Sequence, residues 1–259
     1  MESSMTCGQM IKFSLSKLLY ELFGTMVLTM LYIGGSQSVI LAGLWIMTIF
    51  CWKISGSHFN PAISIVYIFR KDKGGLPRGL ALTYALAQFL GALLGAYLML
   101  FFALDLMPVY LVDGKKWAVA MTQEIFGTMI FVFFFMTQTE EKMLFSNEKA
   151  INCFIIASSY VAARAIFFGA GVGSITTYGA CMNPAMALGI CFAAIFGEFA
   201  KDAFKWFWLY TFFPFIGSIL ALIFYEFVYK KTQEMLNHDE EVDQSNNEEY
   251  GAPPDGTLD

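Results

Sequence analysis

One tripeptide occurs twice in this chain, each time behind a glycine-containing bend and ahead of an apolar run: Gly56-Ser57-His58-Phe59-Asn60-Pro61-Ala62-Ile63 and Gly179-Ala180-Cys181-Met182-Asn183-Pro184-Ala185-Met186. Asn is a favoured helix cap and Pro a favoured first helical residue, because Pro lacks the amide hydrogen that would go unsatisfied there. Each box therefore predicts the start of a short helix, and each such start is an electropositive end. The setting turns this into a constraint on the fold. Of the 259 residues 57% are hydrophobic and 14% charged, and the mean hydropathy is +0.58, which is the composition of an integral membrane protein. Broken helices at membrane depth are tolerated only where protein buries them or where they line a watery cavity, so two of them predict a pore or a binding site.

Apolar runs fall at 14–34, 38–52, 60–69, 79–104, 117–138, 150–169, 183–196 and 204–229. A span needs about 20 residues, so six runs are long enough or nearly so, and the two that begin at the boxes are too short. The first run lacks a small-residue cleavage site and is expected to remain as a span. Basic residues set the orientation. Lys12, Lys17, Arg70, Lys71, Lys73, Arg78, Lys142, Lys149, Lys230 and Lys231 fall on one side, against Lys115, Lys116, Lys201 and Lys205 on the other. Both termini are therefore expected in the cytoplasm of a multi-pass protein, with the kind of membrane left open. The expected organisation is an arm over 1–13, a membrane unit over 14–231 and an acidic, disordered tail over 232–259 that either binds a partner or only solubilises the end.

The membrane unit repeats itself. Glu21-Leu22-Phe23-Gly24-Thr25-Met26 returns as Glu124-Ile125-Phe126-Gly127-Thr128-Met129, and Gln88-Phe89-Leu90-Gly91-Ala92 as Pro214-Phe215-Ile216-Gly217-Ser218. Repeat one covers about 14–104 and repeat two about 117–229. Each holds three full spans, an odd number, so the second must enter the membrane upside down, and the inversion brings the two box helices toward each other. The fold class expected is an all-α membrane protein with six transmembrane helices and two re-entrant half-helices.

With these features the chain resembles the aquaporin, or major intrinsic protein, family over residues 17–230. The resemblance rests on the paired boxes, the Glu-x-x-x-Thr of each half's first span, Ser55-Gly56-x-His58 before the first box, and the Gly and Pro patterns of the third and sixth spans. It implies a pore in each subunit of a homotetramer, formed at its midpoint by Asn60, Pro61, Ala62, Asn183, Pro184 and Ala185. It implies a pore-lining position for His58, for which loop packing is the other reading. By the family's spacing the selectivity filter falls on Ile40, Gly171, Ala180 and Met186. Most relatives have Arg at the position of Met186, so this filter is expected to be apolar and uncharged. Ala187 and Cys191 also depart from the Asp and the basic residue that mark glycerol channels.

Read from the residues themselves, the side-chain amides of Asn60 and Asn183 can donate to a passing oxygen while the helix ends oppose cations; the plainer reading makes both Asn only caps. Glu21 and Glu124 suggest a proton relay or, the better-supported reading, carboxylates that accept hydrogen bonds from the irregular backbone before each box. Arg164 is the one Arg inside an expected span, seven residues before Gly171 and roughly 10 Å deeper; it serves either as a pore cation or as half of an interhelical pair. The aromatics Phe131 to Phe135, Trp206 and Trp208 read as lipid-facing or interfacial. The cysteines Cys7, Cys51, Cys153, Cys181 and Cys191 have no metal or disulfide spacing, and no nucleotide loop, catalytic triad or nucleic-acid surface appears. The function expected is a passive channel, not an enzyme, for water and/or small uncharged solutes such as glycerol, urea or ammonia, with no cofactor or metal and with the bilayer as its surroundings. The alternative is a poorly conducting structural or adhesion protein that retains the fold.

Overall fold

A computed structural model of the chain describes residues 7–70, 75–102, 108–109, 114–168 and 179–237. Among these residues eight α-helices follow one another: α1 (Cys7–Gly34), α2 (Gln37–Ser55), α3 (Pro61–Tyr67), α4 (Arg78–Phe101), α5 (Trp117–Thr137), α6 (Lys149–Phe168), α7 (Pro184–Ala194) and α8 (Phe207–Phe224). Six of them, all but α3 and α7, are long and apolar enough to cross a membrane. No strand occurs among the described residues.

Two boundaries move outward from the sequence expectation. α1 begins at Cys7, so the arm expected over 1–13 is partly helical. α8 runs on through a π-helical turn at Tyr225–Tyr229 to residue 237, into the segment expected to be disordered. Lys231, Gln233, Glu234, Met235 and Leu236 are all good helix formers, and no Gly or Pro stops them. The rest of the acidic tail lies outside the described residues.

Packing follows the repeat. α1 packs on α4 as α5 packs on α8, α1 on α2 as α5 on α6, and α4 on α7 as α3 on α8, while α2 meets α6 and α3 meets α7. The α1–α4 and α5–α8 crossings are closed by equivalent glycines. A Cβ on Gly91 would lie 2.2 Å from the Leu22 carbonyl oxygen, and one on Gly217 would lie 2.2 Å from that of Ile125. Membrane helices have no hydrophobic drive toward one another, and small residues let their backbones come into van der Waals contact instead.

The aromatic run in α5 differs from expectation. Phe131 and Phe135 are 4% and 1% exposed and face inward, stacking edge-on against Tyr160 and Tyr67. A spacing of four places both on one helix face. The remaining members, Phe133 and Phe134, are half-buried, as are Trp206 and Trp208. Beyond α3 a buried charge cluster ties three elements together. Glu140 accepts from Lys230 Nζ at 2.8 Å, from Arg70 Nη2 at 3.4 Å and from the Tyr225 hydroxyl at 2.5 Å.

Candidate functional site

Both boxes form helix starts of the same design. Asn60 caps α3 with its side-chain oxygen accepting from Ala62 N–H at 2.9 Å, and Asn183 caps α7 by accepting from Ala185 and Met186 N–H at 3.1 and 3.3 Å. Pro61 and Pro184 occupy the first helical turn. The amide nitrogens reach across to the opposite half: Asn60 Nδ2 donates to the Met182 carbonyl at 2.7 Å, and Asn183 Nδ2 donates to that of Phe59 at 2.8 Å. Each NH2 carries two hydrogens, so capping and the cross-link leave each nitrogen a second donor.

The residues that accept these cross-links are strained in the same way. Phe59 has φ 48° and Met182 φ 53°, a left-handed conformation that side chains with a Cβ rarely adopt. Such strain persists only where the surroundings over-determine it, and here they do. Glu21 takes the N–H groups of His58 and Phe59 at 3.0 and 2.7 Å, and Glu124 takes those of Cys181 and Met182 at 2.7 Å each. One helical turn beyond each Glu stands a glycine that makes room for the strained side chain. A Cβ on Gly24 would lie 2.0 Å from the Phe59 ring, and one on Gly127 would lie 2.8 Å from Met182 Sδ. The repeated Glu-x-x-Gly is thus one device: the carboxylate holds the backbone and the glycine admits the side chain.

The halves part in the polar groups buried around each device. Glu21 also accepts from Gln88 Nε2 at 2.8 Å, and the same amide nitrogen lies 3.0 Å from Ser64 Oγ. The repeat sets Pro214 where Gln88 stands. In the second half Arg164, 2% exposed, has its guanidinium carbon 4.4 Å from the ring centre of Tyr32 and 5.7 Å from that of Tyr160. The two tyrosine hydroxyls donate to carbonyls of the pre-box segment, Tyr32 to Gly179 at 3.0 Å and Tyr160 to Cys181 at 3.3 Å.

His58 is 6% exposed, its Nδ1 lies 3.1 Å from Ser64 Oγ, and its ring packs against Tyr67, Tyr84 and Phe135. It also borders a cavity of about 440 Å³ between the N-terminal part of α1 and the end of α2, whose walls include Lys17, Lys53, Tyr67, Tyr84 and Thr139. Of the positions assigned to a filter, Ile40 is 1% exposed and Ala180 and Met186 are wholly buried; Gly171 lies outside the described residues. Sequence reading quoted Gly24, Gly127 and Gln88 within the repeats but gave them no role, and it passed over Tyr32 and Tyr160. The two glycines were legible as the fixed offset from each Glu in the repeated hexapeptide, and Tyr160 as the residue one turn before Arg164.

The family model described as major intrinsic protein matches residues 14–225. Aquaporin PIP2-1 of Arabidopsis thaliana is 28% identical over 72% of this chain and 63% of its own length. Aquaporin-5 of Botryotinia fuckeliana is 25% identical over 80% of this chain and 34% of its own. The chain thus spans less than two thirds of these relatives. The X-ray structure of the aquaglyceroporin from Plasmodium falciparum superposes with a TM-score of 0.68 over 86% of this chain and 99% of that one at 18% identity, a likeness of fold.

Proposed function

The chain belongs to the major intrinsic protein family, and on that footing we propose that it is a passive transmembrane channel for water and small uncharged solutes, not an enzyme. The observation that carries this reading is the reciprocal junction of the two boxes. Two helix starts face one another from opposite halves, and Asn60 and Asn183 are fixed by their caps and cross-links with an N–H each to spare. A solute oxygen that sheds its water there meets donors already held in place, and two positive helix ends disfavour a cation at the same point. We assign the midpoint to Asn60, Pro61, Ala62, Asn183, Pro184 and Ala185, its inner approach to His58, and its outer constriction to Ile40, Ala180, Met186 and the region of Gly171. In this reading the channel unit is 14–231, built of repeats at 14–104 and 117–229. It assembles as a homotetramer with both termini in the cytoplasm, so that the His58 cavity opens inward.

Swelling of proteoliposomes that carry the purified chain tests the reading. Water flux well above that of empty vesicles is expected, with glycerol, urea or ammonia tested as second solutes. Asn60→Asp and Asn183→Asp should each reduce flux per folded protein or admit cations, since an acceptor-only carboxylate then replaces a donor. Native flux at the empty-vesicle level, in protein shown to be folded, would instead favour the poorly conducting alternative. That alternative draws support from the burial of Ile40, Ala180 and Met186.

A further inference from the structure

The three described side chains assigned to the outer constriction carry no charge, yet a buried cation stands behind it. We propose that Arg164 is the specificity-determining cation of the outer half, acting on segment 179–182 through Tyr32 and Tyr160. The inference rests on the channel reading and adds to it the residue that excludes ions. Arg164 lies against the rings of both tyrosines, within the distance at which a cation is held by an aromatic face. The hydroxyls of those tyrosines hold the carbonyls of Gly179 and Cys181, and Glu124 holds the amides of Cys181 and Met182. The segment before the second box is therefore gripped by groups in direct touch with a guanidinium on one side and by a carboxylate on the other.

The repeat provides the internal control. Glu21 shows that a carboxylate at this place is satisfied by two backbone amides and a neutral side-chain donor, Gln88. A cation is thus no requirement of the Glu-and-box device, and the second half carries one in addition. In the low-dielectric interior a fixed charge acts over many ångströms with little screening, so Arg164 makes the potential on the tyrosine side of the segment more positive, offsetting Glu124, which Ile40, Ala180 and Met186 do not do. Uncharged solutes cross it, and potassium ions and protons meet a barrier. The guanidinium also draws electron density from the two ring faces, which makes their hydroxyls better donors to the carbonyls and leaves those oxygens less attractive to a passing cation.

The test compares native protein, Arg164→Lys, Arg164→Met and Arg164→Gln in proteoliposomes, reading water flux by swelling and potassium and proton leak by entrapped dyes. Arg164→Met should raise leak relative to water flux by about tenfold or more, since a one-charge barrier of modest size already gives that factor. Arg164→Lys should keep leak near native. If Arg164→Met fails to fold, Arg164→Gln, neutral but still a donor beside the two tyrosines, should fold and show the leak. Native-level leak in a folded, water-conducting Arg164→Met or Arg164→Gln overturns the proposal, as does failure of Arg164→Lys and Arg164→Gln alike to reach the membrane, which would make the residue purely structural. Absence of water flux in the native protein overturns the channel reading itself.

Discussion

In the first half the buried carboxylate, Glu21, is completed by a neutral amide, Gln88; in the second the matching helix position is Pro214, and that half buries a cation, Arg164, against Tyr32 and Tyr160. Around this difference the box framework is kept. The caps, the left-handed residue before each Asn, the glycine one turn beyond each Glu and the close glycine crossings recur in both halves. The comparison teaches which constraints an inverted repeat cannot relax. Backbone N–H groups inside a membrane must find acceptors, and a left-handed residue with a side chain needs space beside it. What balances the acceptor is free to differ, and that is where the halves acquire different charge.

The largest effect should come from making the two carboxylates neutral. Glu21→Gln keeps one acceptor and costs about 1–3 kcal/mol, the scale of unsatisfied buried donors. Glu124→Gln also removes the negative charge that this half buries along with Arg164 and should cost more, about 3–5 kcal/mol if the two charges balance one another. The readout is thermal unfolding of the detergent-solubilised protein, and Arg164→Met introduced on top should recover much of the second loss but none of the first. Equal losses with no recovery would erase the electrostatic distinction between the halves.

A smaller contrast is expected at the paired glycines. Gly24→Ala forces a methyl into the Phe59 ring, which the strained backbone holds in place, and should cost about 1–3 kcal/mol. Gly127→Ala meets only the flexible end of Met182 and should cost under about 1 kcal/mol. Comparable melting temperatures for the two variants would show that Phe59 is as free to move aside as Met182. The smallest effect concerns the outer half alone. Met186→Arg adds a second fixed charge with fixed donors, and the ratio of glycerol to water permeability should fall by roughly two- to fivefold, with water flux less affected. An unchanged ratio in folded protein would mean that solute selection lies elsewhere than at residue 186.

Six spans were legible from the lengths of apolar runs, because bilayer thickness sets that length, and the two half-helix starts were legible because Asn-Pro is local chemistry. Glu21 and Glu124 stood out as lone carboxylates in apolar surroundings. The companions of those residues were hidden for a physical reason. Tyr32 meets Gly179, Gln88 meets Glu21 and Asn60 meets Met182 across long stretches of chain, and no periodicity within one segment reports a contact made in another. Phe131 and Phe135 misled because a phenylalanine run in a membrane helix is equally compatible with lipid and with an aromatic interior; only the contacts made with α6 and α3 decide. The polar stretch 232–237 misled because polarity argues against burial but not against a helix.

The crossed amide bonds have a consequence for biosynthesis. Phe59 and Asn60 belong to the part of the chain made first, yet the Phe59 carbonyl receives its hydrogen bond from Asn183 and the Asn60 amide gives its own to Met182, more than a hundred residues later. A nascent first repeat can place α1, α2 and α4 in the bilayer and cap α3, but it has no partner for either group until the second box has been translated. Neither half-helix can complete its bonds without the other, so the native seating of the first box depends on the second, however early the first is made.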